Sequence, residues 1–262
     1  MASQSEVGHP KNLANIDKLI DLVTQFGAIY NPTNPQLTIA GLNTLKTQCT
    51  TDFNNHTANY TTWKSATNAR EILFKPLDKL FTSIADNVKT LGVPQQTIDD
   101  VISIVAKLHG YSGKLTKADA GKMVDPNQNP TPIEDPNTPT TISTSQQSFD
   151  SIIANLDKLI QLLQTIASYA PNETNIQIAN LQALLASLKT ANLTAITATN
   201  AANLARNQRN LTFYANNTGM YDITKKVKLY IRQIFGSTSA QYHQATAIKF
   251  VKIVPKKKAK KK

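Results

Sequence analysis

The residues of this chain best suited to chemistry are the lysines at its C-terminal end. Pro255 is followed by Lys256, Lys257, Lys258, Lys260, Lys261 and Lys262. Like charges at that density repel, so the run is expected to stay unfolded until a polyanion neutralises it. Six phosphate contacts on B-DNA would give a log–log salt slope of about −5, or roughly a thousandfold loss of affinity between ~50 and ~200 mM salt. Such contacts supply affinity without reading sequence. Interleaved aromatics for base stacking are absent, so single-strand readout by stacking is not indicated. A second basic group, Lys225, Lys228 and Arg232, falls on one face of a predicted helix with Lys226 alongside. It reads first as a solvated face, and second as an extension of the polyanion surface.

Other candidates for chemistry are weak. Cys49, Asp52 and His56 share a helix face at i, i+3 and i+7, the pattern a nucleophile or metal site would need. A repeat described below places Leu188, Ala191 and Ala195 at the matching positions, so Cys49 reads as a small core hydrophobe. Gly110-Tyr111-Ser112-Gly113-Lys114 has the wrong glycine spacing for a phosphate-binding loop, and no strand precedes it. The histidines (His9, His56, His109 and His243) are dispersed, and the four glutamates are scattered. No acid/base pair is visible, no cofactor or metal site is expected, and the chain is not expected to be an enzyme.

The elements that would position these residues come in two copies. Asn15-Ile16-Asp17-Lys18-Leu19-Ile20 recurs as Asn155-Leu156-Asp157-Lys158-Leu159-Ile160, and further on the offset settles at 139 residues. Tyr30 and Pro32 then match Tyr169 and Pro171, and Asn68, Arg70 and Phe74 match Asn207, Arg209 and Phe213. This collinearity reads as an internal duplication. The paired arginines have two readings, a symmetric partner-binding pair or guanidinium groups laid along the bundle and bonded to a carboxylate or a helix end; the second is preferred. Between the copies, residues 111–147 hold five of the twelve prolines in a Thr/Asn/Ser/Gln background, the composition of an extended, flexible linker.

Apolar residues recur at helical spacing throughout both copies. Leu13, Ile16, Leu19, Ile20, Val23, Phe26 and Tyr30 predict a first helix. From Gln36 to Lys75 there is no proline and one glycine, so a single helix of about 60 Å is expected at ~1.5 Å per residue. Pro76 opens a third helix to about Thr90, and Ile98 to Leu108 carry a fourth. The second copy predicts helices over 149–169, 174–217 and 221–235, the middle one with Leu181, Leu184, Leu188, Ala191, Ala195, Ala198, Ala202 and Ala205 facing inward. Residues 247–254 are β-branched and read as either a short strand or an ordered lead into the tail.

The expected fold is therefore all-α, with two tandem, duplicated antiparallel helical bundles: 11–110 as half 1, 111–147 as linker, 148–248 as half 2 and 249–262 as a lysine-rich tail. Residues 249–262 contain eight lysines and no acid. Without them the chain's 28 basic residues fall to 20 against 17 acidic ones, a net charge of +3 instead of +11. The body is close to neutral, and the basic character is a terminal device. The tail resembles a short nuclear-import signal and the lysine-rich arms of histone-like proteins. The single cysteine excludes an internal disulfide, and no signal peptide or transmembrane segment is visible. The chain is thus expected to be an intracellular, non-enzymatic binding or architectural protein, cytoplasmic or nucleoid-associated, or nuclear in a eukaryote. Its expected partner is a polyanion, DNA or RNA. The alternative is a helical scaffold working through protein–protein contacts or self-association, with the tail serving solubility, targeting or attachment to an acidic surface.

Overall fold

The structure, a computed structural model, describes residues 8–110 and 147–253. The linker 111–146 and the lysines from 256 onward lie outside the described residues, as do Tyr111 to Lys114. The described residues are helical, and no strand occurs among them. In chain order the helices are α1 (His9–Gln25), α2 (Ile39–Phe74), α3 (Leu77–Thr90), α4 (Gln95–Leu108), α5 (Phe149–Thr165), α6 (Ile178–Tyr214), α7 (Met220–Phe235) and α8 (Ala240–Ala247). Among the described residues no helix is long and apolar enough to cross a membrane.

Helices α2 and α6 run for 36 and 37 residues through sequence rich in Thr and Asn, residues with modest helix propensity. The hydroxyls are absorbed by the helix itself. Thr44, Thr47, Thr50 and Thr57 each donate to the carbonyl four residues back, at 2.9–3.0 Å. Start signals are local: Ser148 caps α5 by accepting from the Ser151 amide, and Ser239 caps α8 by accepting from that of Tyr242. Gly236 ends α7 with φ 92°, a conformation that other residues resist.

Two expected boundaries move inward for one physical reason. The first helix stops at Gln25, where Gly27 takes φ 56°, and Tyr30 sits beyond a short 3₁₀ turn. The helix expected over 149–169 stops at Thr165. Both tyrosines are thereby freed to turn inward. The Tyr30 hydroxyl donates to the Leu37 carbonyl at 2.7 Å, and that of Tyr169 donates to the Ile176 carbonyl at 2.8 Å. Each bond closes the turn before a long helix, and each is buried.

The described chain divides into two compact units, and these divide it differently from the sequence halves. Unit 1 combines residues up to Ser65 with those from Thr197 onward; unit 2 is Ala66–Ile196. The core of unit 1 accordingly joins Ile16, Leu19 and Leu42, which precede residue 111, to Phe213, Ile223 and Val227, which follow residue 146. The core of unit 2 joins Phe74, Phe81 and Ile84 to Leu156, Leu163 and Leu181. Geometry explains the exchange. A 36-residue helix is about 54 Å long, whereas its shorter partners of 14–17 residues cover only about 21–26 Å. No single short helix covers the long one, and the two ends of that helix enter different cores.

The inward face of α6 follows expectation at Leu181, Leu188, Ala195, Ala198 and Ala202, with Leu185 buried in place of Leu184. Residues 248–253 form neither strand nor helix. They lie in extended order on unit 1, as described next.

Candidate functional site

The middle of α2 and the C-terminal part of α6, both in unit 1, carry an unusual charge pattern. Residues 53–65 and 197–212 contain no acidic residue at all, yet they hold Lys64, Arg206 and Arg209. His56, Tyr60, Trp63 and Lys64 follow one another at i, i+4, i+7 and i+8, which places them along one side of α2. The His56 and Tyr60 rings lie 6.2 Å apart, and those of Tyr60 and Trp63 lie 5.3 Å apart at 62°. The Lys64 ammonium sits 4.8 Å from the Trp63 ring centroid and 5.9 Å from that of Tyr60. Tyr60 is 45% exposed, and Trp63 is half-buried.

Arg209 supplies the link from α6. Its Nη1 lies 3.0 Å from Nδ1 of His56. A guanidinium can only donate, so Nδ1 accepts and the ring proton is on Nε2. The His56 pKa is lowered accordingly, by burial first and then by the charges of Arg209 and Arg206. Arg209 also bonds Oδ1 of Asn210, and Arg206 bonds Oδ1 of Asn203. None of the ion pairs among the described residues involves Lys64, Arg206 or Arg209.

Behind this face Cys49 and Asp52 turn inward beside Thr212, while His56 parts from them. Cys49 is fully buried, and its thiol is pushed up to about 12 by burial and then by Asp52. Asp52 is also buried; it accepts from the Thr212 hydroxyl and, at 3.2 Å, from the Gln48 amide. His56 faces Arg209 instead. Among the described residues no cluster of His, Cys, Asp and Glu is arranged to hold a metal ion. His9 packs beneath, with its ring edge-on to Phe213 and its Nε2 buried without a hydrogen-bond partner. Burial, then Arg209 and His56, lower its pKa to about 4.

Among the described residues the paired arginines bond neither a carboxylate nor a helix end. In unit 2, Arg70 donates to Oδ1 of Asn192 at 3.0 Å and lies 3.9 Å over the Phe149 ring. Asn192 in turn donates to Asp150 at 2.7 Å. The guanidinium is thus held by an amide and an aromatic face, with the carboxylate one step removed. Asn68 and Asn207 are both exposed.

The structure separates the three basic residues expected on α7. Lys225 and Arg232 are exposed; Lys225 lies 3.9 Å from Asp222 and 4.1 Å above the Tyr221 ring. Lys228 is half-buried and donates to the Ile248 carbonyl, with its ammonium 5.3 Å from the Phe250 ring. Burial pushes its pKa down. Lys228 therefore belongs to a clamp on residues 248–253. Two asparagines of α1 complete that clamp. Asn12 donates to the Val251 carbonyl at 2.9 Å and accepts from the Val251 amide at 3.1 Å; Asn15 donates to the Lys249 carbonyl at 2.8 Å. Both asparagines are buried and satisfy the extended backbone as a neighbouring strand would. The segment leading to the lysine run is fixed to unit 1.

Neither clustered charge nor metal-type spacing marks the row of rings on α2. Its signal was nonetheless present, as three aromatic or imidazole residues at helical spacing in a chain with a single tryptophan. The clamp had no comparable signal, because Asn12 and Val251 are 239 residues apart. No family model matches this chain, and no curated protein or solved structure matches it.

Proposed function

We propose that this chain is a non-enzymatic nucleic-acid-binding protein of the architectural kind, acting inside the cell, whose C-terminal lysines engage phosphates without reading sequence. One observation carries the reading: eight lysines and no acid stand in residues 249–262 of a chain whose remainder has a net charge of only +3. The clamp supports it. Residues 248–253, the segment that leads in sequence to the lysine run, are held on unit 1 by Asn12, Asn15 and Lys228. Lys225 and Arg232, both exposed, add positive charge on α7. The test is a salt titration against duplex DNA and duplex RNA, with and without residues 255–262. Steep, salt-dependent binding that vanishes with the tail supports the proposal; equal binding by both forms at low salt removes the tail from it.

The same reading treats the body as a duplication. The matching tyrosine–carbonyl bonds support this. So do two shallow grooves lined by corresponding residues, one of about 410 Å³ beside Gln36, Gly41 and Leu45, the other of about 480 Å³ beside Asn175, Asn180 and Leu184. A second reading, a scaffold working through helix faces, is favoured by Leu204 and Leu211. They stand seven residues apart on α6 and are 72% and 59% exposed. Light scattering over a concentration range tests it, and a strict monomer argues against self-assembly.

A further inference from the structure

We infer that the row formed by His56, Tyr60 and Trp63, with Lys64, Arg206 and Arg209 around it, is a stacking platform for single-stranded nucleic acid. The inference rests on the nucleic-acid reading above and assigns it a second, independent contact surface.

Three observations carry it. First, the rings are not required by the helical frame. At the 139-residue offset the other copy places Ala195, Thr199 and Ala202 where this one has His56, Tyr60 and Trp63. Second, the surrounding cations are uncompensated: Lys64, Arg206 and Arg209 take part in no ion pair among the described residues, and neither helix segment contributes an exposed acid. Of the carboxylates flanking the row on α2, Asp52 is buried and spent on Thr212 and Gln48, and exposed Glu71, seven residues beyond Lys64, takes part in no ion pair among the described residues. Third, the arginines are oriented by neutral partners, His56, Asn203 and Asn210, and so retain full charge toward an incoming anion.

Flat aromatic faces beside unpaired cations ask for a ligand that is itself flat and anionic. Unpaired nucleotides meet both requirements, because each base has a π-face and each linkage a phosphate. A duplex hides its base faces within its own stack and can use only the cations. The platform therefore discriminates single strand from duplex, which the lysine tail cannot do.

Trp63 is the chain's only tryptophan, so its emission reports on the platform directly. The probes are an oligothymidylate and a duplex of equal length, titrated into the full chain and into the chain lacking residues 255–262. Oligothymidylate should quench Trp63 in both forms at low salt, while the duplex leaves its emission unchanged. Tyr60→Ala should weaken oligothymidylate binding about tenfold and spare duplex binding, the scale of losing one base–aromatic stack. Arg206→Glu changes an exposed side chain and leaves the rings intact, so it should weaken oligothymidylate binding without unfolding the helix. Unquenched Trp63 at saturating oligothymidylate, or wild-type binding by both variants, overturns the platform. Duplex binding by the full chain in that case leaves the tail proposal standing; failure to bind either probe overturns both.

Discussion

The His9 ring stands edge-on to Phe213, with centroids 4.9 Å apart and 79° between the planes. Phe149 stands in the same way to Phe74, at 4.8 Å and 82°. Two similar edge-on pairs thus differ in one ring, imidazole in the first and phenyl in the second. The imidazole carries a liability there, because its Nε2 is buried without a partner and Arg209 lies close.

That difference predicts a pH dependence. Folded His9 stays neutral down to about pH 4, whereas the unfolded chain takes up the proton near the ordinary value of 6.5. Between those values the unfolded state binds more protons, so stability is complete above pH 6.5 and falls as pH drops toward 4. With allowance for partial screening of a half-buried ring, the loss should be about 1–2 kcal/mol. His9→Phe, copying Phe149, should flatten this part of the profile in urea unfolding at a series of pH values. An unchanged slope would mean that His9 is not the responsible group.

The composition of the two units predicts the behaviour of a cut chain. Each core draws on residues from both before 111 and after 146. Proteolytic cleavage between Gly110 and Gln147 should therefore leave the two fragments bound to each other on gel filtration. Either fragment produced alone should lack a cooperative thermal transition, since its long helix would keep an uncovered apolar face. Independent folding of either fragment would contradict the exchange.

The clamp predicts a local effect with a distant cause. Asn12→Ala leaves the amide and carbonyl of Val251 without their partners. The cost should be about 1–3 kcal/mol. Trypsin should then cut after Lys249 and Lys252 well before it cuts the helices. Asn15→Ala removes one bond and should have a smaller effect in the same assay.

The paired tyrosines predict equal sensitivity in the two units. Tyr30→Phe and Tyr169→Phe each delete a buried hydroxyl donor and leave a carbonyl unpaired, at Leu37 and Ile176. Each should cost about 1–2 kcal/mol in denaturant unfolding. A neutral result at both sites would show that the two turns hold without those bonds.

The helices were legible in the sequence because helix formation is a local matter. Spacing of apolar residues and proline and glycine punctuation act within a few residues, and they placed α2, α3, α4 and α7 to within a few positions. The row of His56, Tyr60 and Trp63 was legible in the same way, by its spacing. Where a tertiary bond competed, as at Tyr30 and Tyr169, the local reading ran a turn too long.

Sequence alone determined the helical class and the charge gathered on residues 249–262. Only the tertiary structure decided which helix covers which, because several helices present similar apolar faces and periodicity does not say which of them pack together. It alone brought Arg209 to His56, and Asn12 to Val251. Hydrogen bonds between residues 153 and 239 positions apart leave no local pattern to read, since they exist only once the long helices have entered both cores.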